Sequence, residues 1–120
     1  MEAIKKIISP LLIKLLCNER RDMNWIDVAL NSRDASAFDS AWTESYAVIA
    51  PRDLDPLLKT EIDEIREHVF KKIYETSGNA DLAAYISDDF ELISASVVKG
   101  ITTLFVEKLI AEYILGKFPR

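Results

Sequence analysis

Glycine and proline are scarce in this 120-residue chain, with three and four copies respectively. Disordered segments and flexible linkers are typically rich in both, so neither class fits the composition. The same scarcity disfavours a β-sandwich, which needs turn residues about every ten positions. No internal repeat and no shift in composition divides the sequence. We therefore expect residues 1–120 to form a single domain.

The chain also has only one cysteine, Cys17, and one histidine, His68. A single cysteine allows no disulfide within these residues, which fits a reducing compartment such as the cytoplasm. A single histidine excludes a site built from several histidines. The sequence contains no glycine-rich phosphate loop, no nucleophile elbow and no zinc-ligand spacing. We therefore predict a protein that is not an enzyme, acts by binding, and has no catalytic residues, cofactor or metal.

No apolar run approaches the roughly 20 residues that a membrane-spanning helix needs. Lys5 and Lys6 precede an apolar stretch, as in a signal peptide, but Lys14 interrupts it and no small-residue cleavage site follows. This first stretch has the spacing of an amphipathic helix, which could lie on a membrane surface or pack against a core. We favour core packing, and expect a cytoplasmic protein without membrane contact.

Apolar residues recur at helical spacing along the whole sequence. The longest stripe follows Asp55-Pro56, an acidic cap with proline at the first helical position, and ends at Gly78. The next helix is expected to begin at Asn79 or Asp81. Its expected core positions are Leu82, Ile86, Phe90, Ile93 and Val97. Shorter helices are predicted within residues 4–15, after Asp22, within 38–49 and after Thr102 or Thr103. The core positions of the last helix are Leu104 or Phe105, Leu109, Tyr113 and Ile114.

These elements predict an all-α fold, a compact bundle of five to six amphipathic helices that forms a single helical domain. Residues 31–36 are expected to be a polar link between the second and third helices. Gly100 should end the long fifth helix, and Ser87-Asp88-Asp89 could restart it, because Asp88 and Glu91 have the spacing of a capping box.

The net charge of −5 is unevenly distributed. Residues 22–98 contain sixteen acidic and six basic residues, a net charge of −10, whereas both flanking segments are mildly basic. A centre this acidic repels phosphate backbones, so we expect no nucleic-acid partner. It would instead attract a basic protein. The expected partner-binding residues are the carboxylates Asp53, Glu61, Asp63, Glu64, Glu67, Asp81, Asp88, Asp89 and Glu91.

Two further interpretations apply to Asp88, Asp89 and Glu91. They could cap and charge the N-terminus of a helix, where anions are favoured, and this is the interpretation we favour. Three carboxylates this close could also ligate a hard cation such as magnesium, which would make the chain a helical enzyme. The remaining carboxylates could equally belong to a solvated helix face.

Three segments of the sequence stand out, namely Phe38-Asp-Ser-Ala-Trp42, Tyr85-Ile-Ser-Asp-Asp-Phe-Glu-Leu-Ile93 and Gly116-Lys-Phe-Pro119. Together they resemble small helical immunity proteins of bacterial toxin systems, including those of contact-dependent growth inhibition. The resemblance implies a protein that binds and neutralises a cognate toxin domain, often a nuclease. The matching segments look structural, so no toxin-contacting residue is carried over. The alternative function is an acidic helical adaptor or regulatory subunit that binds another basic protein. The oligomeric state is left open.

Overall fold

The computed structural model describes Pro10, Leu11, Lys14, Leu15 and residues 25–120. In this part of the chain all the regular structure is helical, which confirms the all-α prediction. The described residues contain helices α1 (Trp25–Arg33), α2 (Ser36–Ile49), α3 (Pro56–Ser77), α4 (Ala80–Lys99) and α5 (Leu104–Ile114). Cys17, the predicted start of the second helix at Asp22 and most of residues 4–15 lie outside the described residues.

The ends of α3 are set by local sequence, as predicted. The Asp55 carboxylate accepts a hydrogen bond from the Leu58 amide at 3.1 Å, and Pro56 occupies the first helical position. Gly78 adopts the left-handed conformation at φ 68° and donates its N–H to the Tyr74 carbonyl at 2.8 Å. Glycine takes this conformation without a Cβ clash, so the helix stops there.

Helix α4 begins after Asn79, whose side chain accepts a hydrogen bond from the Leu82 amide at 2.9 Å. It continues without interruption to Lys99 and closes at Gly100. The predicted restart at Asp88 is wrong, as is the interpretation of Asp88, Asp89 and Glu91 as a helix cap. An aspartate inside a helix costs only about 0.7 kcal/mol relative to alanine, and contacts with other helices outweigh that cost.

The centre of the fold is α4, in which eleven of twenty residues are buried. It packs lengthwise against α3 and also contacts α1, α2 and α5. Because the four other described helices contact α4, buried residues occupy more of its circumference than a single apolar stripe would. Small residues such as Ala95 and Ser96 face inward near its end, while Val97 is 57% exposed, contrary to the prediction.

Two apolar clusters form the interior. The first joins α3 and α4 to the C-terminal residues Tyr113 and Phe118. The second joins α2 to Ile62 of α3, to the second half of α4 and to the first half of α5. Leu15 is fully buried in the first cluster, which supports core packing of the initial stretch. In α5, Leu109 and Tyr113 are buried as predicted, whereas Ile114 is exposed. None of the helices in the described ranges is long and apolar enough to cross a membrane.

Candidate partner-binding groove

A depression lies between α1, α2 and the first half of α4. Its narrow part has a volume of about 150 Å³ and is lined by Arg33, Asp34, Phe38, Asp39, Trp42, Tyr85 and Asp88. A wider part of about 420 Å³ is lined by Asp27, Leu30, Asn31, Asp34, Asp81 and Tyr85. Both parts share Asp34 and Tyr85, so they form one continuous surface, called the acidic groove below.

Local geometry explains how these side chains meet. Asp81, Tyr85 and Asp88 are spaced at i, i+4 and i+7, so they share one face of α4. The predicted polar link at residues 31–36 is shorter than expected, because α1 continues to Arg33 and α2 begins at Ser36. The tight connection places Asp34 and the first turn of α2 opposite that face of α4.

Most of the carboxylates in the acidic groove form no ion pair within the described part of the chain. Among the described residues, no lysine or arginine forms an ion pair with the side chains of Asp27, Asp34, Asp39 and Asp81. The Tyr85 hydroxyl donates a hydrogen bond to Asp34. This bond, together with partial burial, raises the pKa of Tyr85. The groove therefore has a clear excess of negative charge.

A buried polar network lies directly beneath the acidic groove, centred on the fully buried Asp89. One oxygen of Asp89 accepts from Arg33 Nη2 at 2.7 Å and from Trp42 Nε1 at 2.9 Å. The other accepts from Arg33 Nη1 at 2.9 Å and from the Tyr113 hydroxyl at 2.6 Å. Arg33 Nη1 also donates to the Pro119 carbonyl at 3.3 Å. Asp89 thus links α1, α2 and α5 to α4, and Arg33 extends the network to the C-terminal segment.

Aromatic rings surround the guanidinium of Arg33. Its central carbon lies 4.4 Å from the ring centroid of Phe38, 4.9 Å from that of Phe118 and 5.3 Å from that of Tyr85. Cations are attracted to aromatic faces at these distances. Arg33 and Trp42 therefore have fixed positions in the lining of the groove before any partner binds.

The family model described as Immunity protein PIM1 matches residues 4–120 of this chain. The match covers nearly the whole sequence. This chain belongs to the PIM1 family of immunity proteins. The resemblance to small helical immunity proteins is thereby confirmed, and membership implies that the chain binds a toxin partner. Among curated proteins, none matches the chain.

The structure places Asp89 and Glu91 inside this immunity protein. Glu91 is only 4% exposed and pairs with Arg52 at 3.0 Å and Arg66 at 3.4 Å. Burial raises its pKa, and the two arginines oppose that shift. Asp88 is partly exposed at the groove and pairs with Arg66 at 2.7 Å; burial raises its pKa as well. These three carboxylates thus face arginines, and the described residues contain no cluster suited to a metal ion.

The remaining predicted contact residues of the immunity protein lie mainly on α3. That helix has five acidic and four basic residues, so its charges nearly cancel. Asp63 pairs with Arg52 at 3.1 Å, and Glu67 pairs with Lys71 at 2.9 Å. Asp53 is exposed in the turn that follows α2, and Glu61 and Glu64 lie along α3. Of the predicted set, the structure brings only Asp81 and Asp88 into the acidic groove.

Sequence reasoning missed the groove residues outside α4, chiefly Asp34, Asp39 and Trp42. They belong to α1, α2 and the link between them, and no local pattern shows which helices will meet. The spacing of Asp81, Tyr85 and Asp88 was the one available signal, since it places two carboxylates and an aromatic ring on a single helix face.

Proposed function

We propose that this immunity protein neutralises its cognate toxin in the cytoplasm by binding a basic surface of the toxin domain through the acidic groove. Family membership supports the toxin as the kind of partner. The observation that carries the finer proposal is the concave surface between three helices in which four carboxylates lack an ion-pair partner among the described residues.

Charge compensation favours the acidic groove over α3 as the centre of the binding surface. A carboxylate already paired with lysine or arginine gains less from a new cation, because the existing pair must be broken. Asp63 and Glu67 are paired in this way, whereas Asp34, Asp39 and Asp81 have no ion pair within the described ranges. Of the residues predicted from the sequence, the proposal keeps Asp81 and Asp88 because both line the groove, Asp88 with its charge paired to Arg66. It places Asp53, Glu61 and Glu64 outside the centre because they do not line the groove, and it omits the buried Asp89 and Glu91.

The negative field of the groove also indicates the class of toxin. Enzymes that bind nucleic acid present basic surfaces to the phosphate backbone. An acidic inhibitor is steered toward such a surface and associates faster with it. We therefore propose a nuclease domain as the toxin, with its nucleic-acid-binding surface covered by the immunity protein.

Isothermal titration calorimetry against the toxin domain encoded next to this gene tests the proposal. A triple variant, Asp34→Asn, Asp39→Asn and Asp81→Asn, should raise the Kd at least tenfold, which corresponds to about 1.4 kcal/mol. The loss should shrink as salt increases, because screening weakens charge interactions. The matched control Asp63→Asn, Glu67→Gln and Glu75→Gln removes the same charge from α3 and should change the Kd less than threefold.

Two results would count against the proposal in different ways. Absence of a complex at low salt would reject the toxin as partner, and capture of an unrelated basic protein would then favour an adaptor. A complex that loses as much affinity in the α3 control as in the groove variant would show that the acidic groove is not the binding site.

A further inference from the structure

The narrow part of the acidic groove combines aromatic rings with carboxylates. Phe38, Trp42 and Tyr85 are half-buried there, and Asp34 and Asp39 line the same cavity. Aromatic faces attract cations, and carboxylates accept charge-assisted hydrogen bonds from them. A planar guanidinium uses both, because it stacks on a ring while its five N–H donors point outward in the plane. The chemistry of this cavity therefore favours arginine over lysine.

The fold already contains one guanidinium held by these rings. Arg33, only 7% exposed, lies over Phe38 at 4.4 Å and over Tyr85 at 5.3 Å. Its charge is balanced by the bidentate pair with Asp89. Arg33 therefore does not neutralise Asp34 and Asp39, which remain available to a second cation from outside.

The size of the cavity limits what can enter. Its volume of about 150 Å³ is below the roughly 300–1,000 Å³ typical of pockets that enclose a small-molecule ligand. A single side chain fits this scale, whereas a helix or a folded loop does not. The wider part, with Asp27 and Asp81, would then surround the inserted group with polar contacts. Interface hot spots have this arrangement, in which a buried aromatic or arginine anchor is surrounded by a polar rim.

We propose that the narrow part of the acidic groove is an anchor pocket for one arginine side chain of the toxin. The guanidinium packs against the aromatic lining and donates to Asp34 and Asp39, while Asp88 remains paired with Arg66. This inference rests on the proposed function, and it specifies the chemical group by which the toxin is recognised.

The pocket can be tested without the toxin. In a titration followed by NMR, N-acetyl-arginine amide should shift the indole N–H signal of Trp42 at millimolar concentration and leave that of Trp25 unchanged. N-acetyl-lysine amide should bind at least threefold more weakly. The double variant Asp34→Asn and Asp39→Asn should abolish the shift. Equal binding of the two amides, or an unchanged titration in the double variant, would overturn the anchor pocket.

The complex provides an independent test. Arg→Lys substitutions across the basic surface of the toxin should include one that weakens binding at least tenfold. The same substitution should have little effect when the immunity protein carries the double variant. If the complex forms but no Arg→Lys substitution depends on the groove residues in this way, the anchor is wrong while the proposed function stands. If no complex forms, the proposed function fails, and the amide titration alone decides whether the pocket binds arginine.

Discussion

Replacing Asp89 by asparagine should destabilise the immunity protein more than any neighbouring carboxylate substitution. Asp89 is fully buried and accepts four hydrogen bonds, two of them from Arg33. In Asp89→Asn the charge of Arg33, itself only 7% exposed, would stay in the interior without a counterion. Removing one partner of a buried ion pair costs about 3–5 kcal/mol. That is a large fraction of the roughly 5–15 kcal/mol by which domains are stable.

Urea unfolding followed by far-UV circular dichroism measures this loss. With a slope of about 1–3 kcal/mol per molar urea, the midpoint should fall by about 1 M or more. The matched control is Asp88→Asn, one residue earlier, where a partly exposed pair with Arg66 is lost. Pairs of that kind contribute up to about 1 kcal/mol.

A second variant separates the lost counterion from lost packing. Arg33→Met combined with Asp89→Asn removes the unpaired charge, while the amide oxygen at position 89 can still accept hydrogen bonds from the Trp42 and Tyr113 side chains. The double variant should therefore be more stable than Asp89→Asn alone. The reasoning would be refuted if Asp89→Asn stayed within about 1 kcal/mol of the wild-type protein at an unchanged slope, since typical substitutions already cost that much.

Two pH-dependent predictions follow from buried groups. Burial raises the pKa of Tyr113 well above its usual value, so above about pH 10 the unfolded chain releases this proton first and wild-type stability falls. Tyr113→Phe, although less stable at neutral pH, should lose less stability than the wild-type protein between pH 9 and 11. An equal loss of stability in the two proteins over this range would contradict the prediction. Burial also raises the pKa of Glu91, so ionisation at this position opposes folding as the pH rises above about 4. Between pH 4 and 7, the urea midpoint of Glu91→Gln should therefore rise relative to that of the wild-type protein. A fall relative to the wild-type protein would show that Arg52 and Arg66 hold the pKa of Glu91 below its usual value.

The acidic groove and the buried network share two residues, Arg33 and Trp42. Each presents part of its surface to the groove while its polar atoms are held by Asp89. Under the proposed function, stability and partner binding are therefore coupled in this fold. A substitution at Asp89 should weaken toxin binding even in the fraction of protein that remains folded, because the aromatic lining would lose its fixed position.

Local sequence determined the helices themselves. Asp55-Pro56, Asn79 and Thr103 begin helices, and Gly78 and Gly100 end them, because a cap or a left-handed turn depends on residues within a few positions. The apolar stripe of α3 likewise identified the buried face of that helix, because the pattern lies within one continuous segment of the sequence. Family membership agrees with a resemblance already present in the residues of α4 and the C-terminal segment.

Only the tertiary structure decided what the carboxylates do. Asp88, Asp89 and Glu91 lie within four residues of one another, yet they contact different sets of arginines on α1, α3 and the turn after α2. One of them is at the groove and two are interior. Burial and pairing depend on which helices meet, and that depends on contacts between residues far apart in the chain. Contacts between distant helices also bring Asp34 and Asp39 beside the face of α4 that carries Asp81, Tyr85 and Asp88. The sequence of α4 indicated that one face, but not the helices that lie opposite it.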